Sequence, residues 1–490
     1  MRVAGWWAVG LAGAVAIAGA GVMLAGRFGQ PDPDPNGTIR PTDPATPRGT
    51  PLAEGPLAAY AGAGSCAGLA CHGSPLVGTT PQNATSASWW FTHDPHTRAY
   101  TSLLSARSQQ IAQNLAGEGG QPIPAHQDSR CLACHSLPEL AAADTPDSLK
   151  PLRLEGVSCE ACHGPSRLWN RSHTAWGSLP ADELKSAYAQ SGMLWLNDPL
   201  TRSGVCVGCH VGAPAEGNVP ARIVDHDLIA AGHPRLAFEL TLYQRRLPPH
   251  WREFDRQHPQ RGQPAADRGT ESFEPALWWA GQISTARAWL RLAGDSLASR
   301  HGPELAHFDC YGCHRPIGAA VAEQPGEAGQ PGWSRGSLRL NQWHLSLPLR
   351  AAWPADPSEP LEVLRKGLLR PTGKDAEPAR LAARQLSATL DRLAQQPPDP
   401  AALTVAWGKH LAAQPTIGWD DAAQTLLALS SWQRAGRVPG LAAHTARLRQ
   451  LIAFPQADGV RFDSPTPLTD TAVHQAEVLR LLRQSLGGLP

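Results

Sequence analysis

Apolar residues recur at three- and four-residue intervals over much of the chain, and no useful length alternates apolar with polar. That period predicts helices. The run PALWWAGQISTARAWLRLAGDSLAS keeps the helical spacing from Leu277 to Leu292. A second helix is predicted within WWFTHDPHTRAYTSLLSARSQQIAQNLAGEGG, with Asp94 as cap, Pro95 in the first turn and Gly117 at the end. A third is predicted in AGHPRLAFELTLYQRR, opened by its proline. Towards the C-terminus, PARLAARQLSATLDRLAQQ, DDAAQTLLALSSWQRAG and TDTAVHQAEVLRLLRQSLGG repeat leucine and alanine in the same way and predict a helical array. The expected fold class is mainly α, with little sheet.

Two other patterns divide the chain. MRVAGWWAVGLAGAVAIAGAGVMLAG places about 24 uncharged, mostly apolar residues between Arg2 and Arg27, enough to cross a bilayer. This predicts a signal-anchor helix over residues 1–26, with Arg2 in the cytoplasm and the rest of the chain outside. Cleavage near Ala18–Gly21, releasing a soluble periplasmic protein, is the alternative. Residues 27–58 are dense in proline and poor in large apolar side chains, so they read as a linker. A body follows over residues 59–317, a second linker over 318–340, and a helical C-terminal module over 341–490.

The charge is balanced, 43 basic against 42 acidic residues, and nothing in it suggests nucleic-acid binding. The ten cysteines change the picture. They fall into five pairs, each closed by a histidine: Cys66 and Cys71 with His72, Cys131 and Cys134 with His135, Cys159 and Cys162 with His163, Cys206 and Cys209 with His210, and Cys310 and Cys313 with His314. Four are CxxCH and the first is CxxxxCH. A zinc ribbon would suit CLACH and CEACH, but zinc gives no reason for a histidine directly after every second cysteine. Covalent haem c explains each position: two thiols take the two vinyl groups, and the next residue gives its imidazole to the iron. Five covalently bound haem c groups are expected, each with its iron. At roughly 50 residues per haem the body is too small to wrap each one separately, so the haems pack on one another.

The sixth coordination position separates electron carriage from chemistry, because an iron closed by protein on both sides binds no small substrate. Met1 and Met23 lie in the apolar N-terminal segment, leaving Met193 as the one methionine that could serve. Histidine must supply most distal ligands, which favours low potentials. Ten more histidines lie in the body: His93, His96, His126, His173, His226, His233, His250, His258, His301 and His307. His96 and His233 stand at predicted helix starts beside apolar residues, and His173 follows CEACH by ten residues with Trp169 between. His126 and His226 complete the candidate set, whereas His250 and His258 sit in a polar loop. The histidines of the C-terminal module, His344, His410, His444 and His474, are scattered and read as structural.

The runs EGVSCEACHGP, DHDLIAAGHPRLAFEL and HFDCYGCH, with the single CxxxxCH, resemble multihaem cytochromes c related to the tetrahaem electron acceptor of hydroxylamine oxidoreductase. The likeness covers residues 60–316. It implies a haem-packed helical body with closely stacked haem pairs, and it makes His96 and His233 similar to that family's distal ligands. The fifth motif, the anchor and the cysteine-free module depart from the tetrahaem pattern. The function expected is electron transfer through bis-histidine haems on the periplasmic side of a bacterial inner membrane. Redox proteins are the expected donor and acceptor, and the C-terminal helices are expected to dock a partner or form an oligomer. The competing expectation is a multihaem oxidoreductase acting on a nitrogen or sulfur oxyanion or hydroxylamine-type substrate at one open haem, with Tyr100, Arg98 and His93 beside it. It is the weaker of the two, since no CxxCK motif is present and histidines are plentiful enough to close every iron.

Overall fold

A computed structural model describes residues 59–75, 83–248, 273–298, 302–310, 338–396, 400–413, 417–434, 441–452 and 472–487. The anchor and first linker, most of the second linker, Cys313, His314, His250, His258 and His301 lie outside the described residues. The chain is mainly helical, and the described residues contain isolated β-bridges but no strand. Among the described residues no helix is long and apolar enough to cross a membrane.

Residues 59–248 form short helices and one- to two-turn stretches of tighter 3-10 helix. Three motifs end a short helix on their histidine: Ser129–His135, Cys159–His163 and Pro199–His210. Carboxylates start two of these helices. Asp128 accepts from the Arg130 N–H, and Asp198 accepts from Thr201 with Pro199 in the first turn. The first motif follows a 3-10 turn, Ala63–Ser65, and lies in irregular chain.

The expected helix from Asp94 to Gly117 is broken. Asp94 does cap a 3-10 turn, Pro95–Arg98, and Gly117 does close the end at φ 68°. Between them the chain turns at Leu103–Ser105, and the Ser105 hydroxyl starts a new helix, Ala106–Ala116, by accepting from the Ser108 N–H. A serine there offers the backbone a second cap, and the helix restarts on it. The expected helix after Pro234 begins late, at Leu240, because the Glu239 carboxylate accepts from the N–H groups of Thr241 and Leu242.

The run around Leu277 forms one 24-residue helix, Phe273–Ser296. Leu277, Trp278, Ile283, Ala286, Trp289 and Ala293 are all buried, so it is covered on nearly every side and acts as a central post. It packs on the fourth-motif helix Pro199–His210 and on two later helices, Ala376–Gln395 and Trp419–Arg434. Further helices, Ser358–Leu369, Pro400–Ala413, Leu441–Leu451 and Ala472–Gly487, complete the C-terminal array. One apolar core runs unbroken from Val207 in the fourth motif to Leu486 near the end of the chain. Polar ties cross it: Ser346 Oγ donates to Gln282 Oε1 at 2.6 Å, and the Trp343 indole donates to the Phe238 carbonyl at 2.9 Å.

Candidate haem-binding cavity

The first four motifs open on one cavity of about 1950 Å³, lined mostly by apolar side chains. That is about twice the upper end of the 300–1,000 Å³ usual for a small-molecule pocket. The cysteines of all four motifs and their histidines His72, His135, His163 and His210 face it. So do His96, His173 and His233. Seven imidazoles therefore meet in one space.

Their pairing is specific. The His72 and His173 rings lie 6.1 Å apart at 16°, and the His96 and His210 rings lie 6.1 Å apart at 75°. Two imidazoles bound on opposite sides of one iron have centroids about 6 Å apart, so both pairs fit an axial couple. His135 and His233 are near enough that His135 helps to hold His233 neutral, after burial as the larger cause.

Four of these rings are hydrogen-bonded through the same nitrogen. His96 Nδ1 donates to Asp94 at 2.8 Å, His135 Nδ1 to the Ala99 carbonyl at 2.9 Å, His173 Nδ1 to the Trp169 carbonyl at 3.1 Å and His233 Nδ1 to the Pro234 carbonyl at 2.8 Å. A neutral ring that holds its proton on Nδ1 to donate a hydrogen bond keeps a lone pair on Nε2 for a metal. Burial pushes His210 down to about 4, with His96 as the second cause, so it too is neutral. For His96 burial acts downward, but the hydrogen bond and charge of Asp94 outweigh it and raise the group. Phe238 stacks on His210 at 5.3 Å and Tyr243 meets it edge-on at 5.0 Å, fixing its plane.

The nine described cysteines are all free of disulfides, as thioether chemistry requires. They also meet across motifs. Cys66 is hydrogen-bonded to Cys159, which pulls Cys66 down to about 7 and pushes Cys159 up. Cys134 is bonded in the same way to Cys209 and is pushed well up. The first motif thus touches the third, and the second touches the fourth.

The other candidates sit elsewhere. His126 and His226 are half-buried and lie outside the cavity lining; the His226 N–H donates to Glu304. His93 stacks on Trp89 and bonds Thr92 at the surface. Met193 does line the cavity, as do Tyr188 and Trp195. Cys310 is described, while its partners Cys313 and His314 are not. Two features escaped the sequence. One is Glu160, inside the CEACH motif, which is 2% exposed and accepts from the N–H groups of Ala61, Gly62 and Ser166. The other is Asp94 as the partner of His96, for which the D-x-H spacing was a visible signal.

Residues 66–164, from the first cysteine of the first motif to the glycine after the third, match the family model for cytochrome c554 and c-prime. Comparison with curated proteins and with solved structures gives no match. The family match supports a multihaem cytochrome c with covalently bound haem, the group that the cavity's thiols and imidazoles fit.

Proposed function

We propose that the chain is a pentahaem cytochrome c that carries electrons through low-potential, bis-histidine haems and performs no chemistry on a small substrate. The observation that carries this is the gathering of seven imidazoles on one cavity, two couples of them 6.1 Å apart. His72 with His173 would hold the first iron, His210 with His96 the fourth, and His135 with His233 the second. Haem supplies reversible one-electron redox at such a site. The protein's part is to fix each ring, keep its Nε2 unprotonated and exclude water behind an apolar wall. The contacts of Cys66 with Cys159 and of Cys134 with Cys209 support stacking of the first haem on the third and the second on the fourth.

In this reading residues 1–26 anchor the protein in a bacterial inner membrane, and residues 27–58 let the haem body reach a redox partner on the outer side. About 30 residues of proline-rich chain at about 3.1 Å each span roughly 90 Å when extended. The fifth motif, Cys310, Cys313 and His314, adds the last haem, and the C-terminal helices serve docking or assembly.

The test is a denaturing mass measurement of protein made in a host that attaches haem c. Five haem equivalents and no free thiol are expected, and Cys159→Ser should weaken or lose one attachment. Motif-matched zinc without haem mass would overturn the proposal. A mature chain starting near residue 21 and free in the periplasm would reject the anchor.

A further inference from the structure

Arg222 is 7% exposed, and its position is locked. Its backbone N–H and C=O both pair with Ala213, at 2.8 and 2.9 Å, and its Nε donates to the Gly208 carbonyl at 2.7 Å. Gly208 lies between the two cysteines of the fourth motif. Nη1 is buried and has no hydrogen-bond partner among the described residues. Among the described residues no carboxylate forms an ion pair with it, whereas Arg350 has Asp421, Arg130 has Asp128 and Arg235 has Asp420. A guanidinium does not give up its proton, so the charge stays. An isolated buried charge is costly, and its presence points to compensation from something the polypeptide does not supply.

The surroundings indicate what that is. The next two residues, Ile223 and Val224, line the haem cavity, as do Gly208 and Cys209. Cys209 in turn reaches the second motif, its Sγ lying 4.0 Å from the Ala133 carbonyl, and Cys134 lines the same cavity. The cation therefore stands beside two haem attachments, where the haem propionates are the available negative charge.

We infer that Arg222 is a fixed buried cation shared by the haems of the second and fourth motifs, and that it raises the reduction potential of both. The inference rests on the proposed haem occupancy. When either iron takes one electron, Fe(III) becomes Fe(II) and the local charge falls by one. A neighbouring cation favours that form, and burial leaves it poorly screened by salt.

The experiment is a redox titration at an electrode of holoprotein carrying Arg222→Gln or Arg222→Lys, each first checked for parental haem mass and low-spin spectrum. With Gln, two haems should become harder to reduce by about tenfold in their equilibrium, near 59 mV for one electron. The others should move by less than about twofold. Lys should hold all midpoints near the parent. Unchanged midpoints with Gln, an equal shift with Lys, or a uniform shift of every haem would overturn the inference. If the Gln variant fails to hold its haem, Val224→Glu takes its place. An added anion on the same wall should then move the same two haems in the same direction, and no movement would reject the role. Missing haem in the parent would instead refute the proposed function, so the two failures are distinct.

Discussion

Single residues set how an imidazole is held by which of its nitrogens they occupy. Asp94 and three backbone carbonyls each accept a hydrogen bond from an Nδ1–H, which leaves Nε2 as the lone-pair nitrogen of four neutral rings. His96, His173 and His233 were legible as candidates because local sequence marked them. Their partners were not legible, since His72 meets His173 and His96 meets His210 only after the chain has folded back across about a hundred residues. His173→Ala should therefore open one iron alone: a single haem turns high-spin while the others keep low-spin spectra, read by magnetic circular dichroism. Glu160 is a residue-scale structural claim. Replacing it with Ala leaves three N–H groups without their acceptor, each worth about 1–3 kcal/mol when buried. A lowered denaturation midpoint and faster proteolysis near Ala61 should follow, and an unchanged midpoint would count against its clamping role.

Secondary elements were read well where the apolar period was long and poorly where a polar side chain intervened. The Phe273–Ser296 helix matches its pattern because nearly every face is buried. The broken helix at Ser105 and the late start at Leu240 turned on caps, whose choice depends on which competing hydroxyl or carboxylate the fold brings to the backbone. The central helix comes close to Leu240 at Gly281, where an added Cβ would stand 2.7 Å from the Leu240 Cβ. Gly281→Ala should thus overpack the wall behind Phe238 and cost about 1–3 kcal/mol. Thermal or denaturant unfolding checks it; a neutral result would mean the two helices part without strain.

Across the whole molecule, the core joining the fourth motif to the C-terminal helices contains two histidines held neutral. Burial pushes His307 down to about 4 and His344 down to about 3. Their folded values lie below the unfolded value near 6.5, so on acidification the unfolded chain takes up protons that the folded chain refuses. Stability contributed by the neutral forms is present above about pH 6.5 and declines as pH falls towards 3–4. Denaturation midpoints should drop between pH 7 and 5, and His344→Gln should flatten that drop; a pH-independent midpoint would contradict it. That shared core was hidden from sequence, because a proline-rich run and the end of the cysteines look like a boundary whether or not helices pack across it. The central claim, irons closed by paired histidines, is tested most directly by electron paramagnetic resonance of the oxidised holoprotein. Nearly parallel rings at His72 and His173 should give a rhombic low-spin signal, and the steeply crossed rings at His96 and His210 a strongly axial one. Low-spin signals of both kinds are the predicted result, and high-spin ferric haem at either of these two sites would contradict the account.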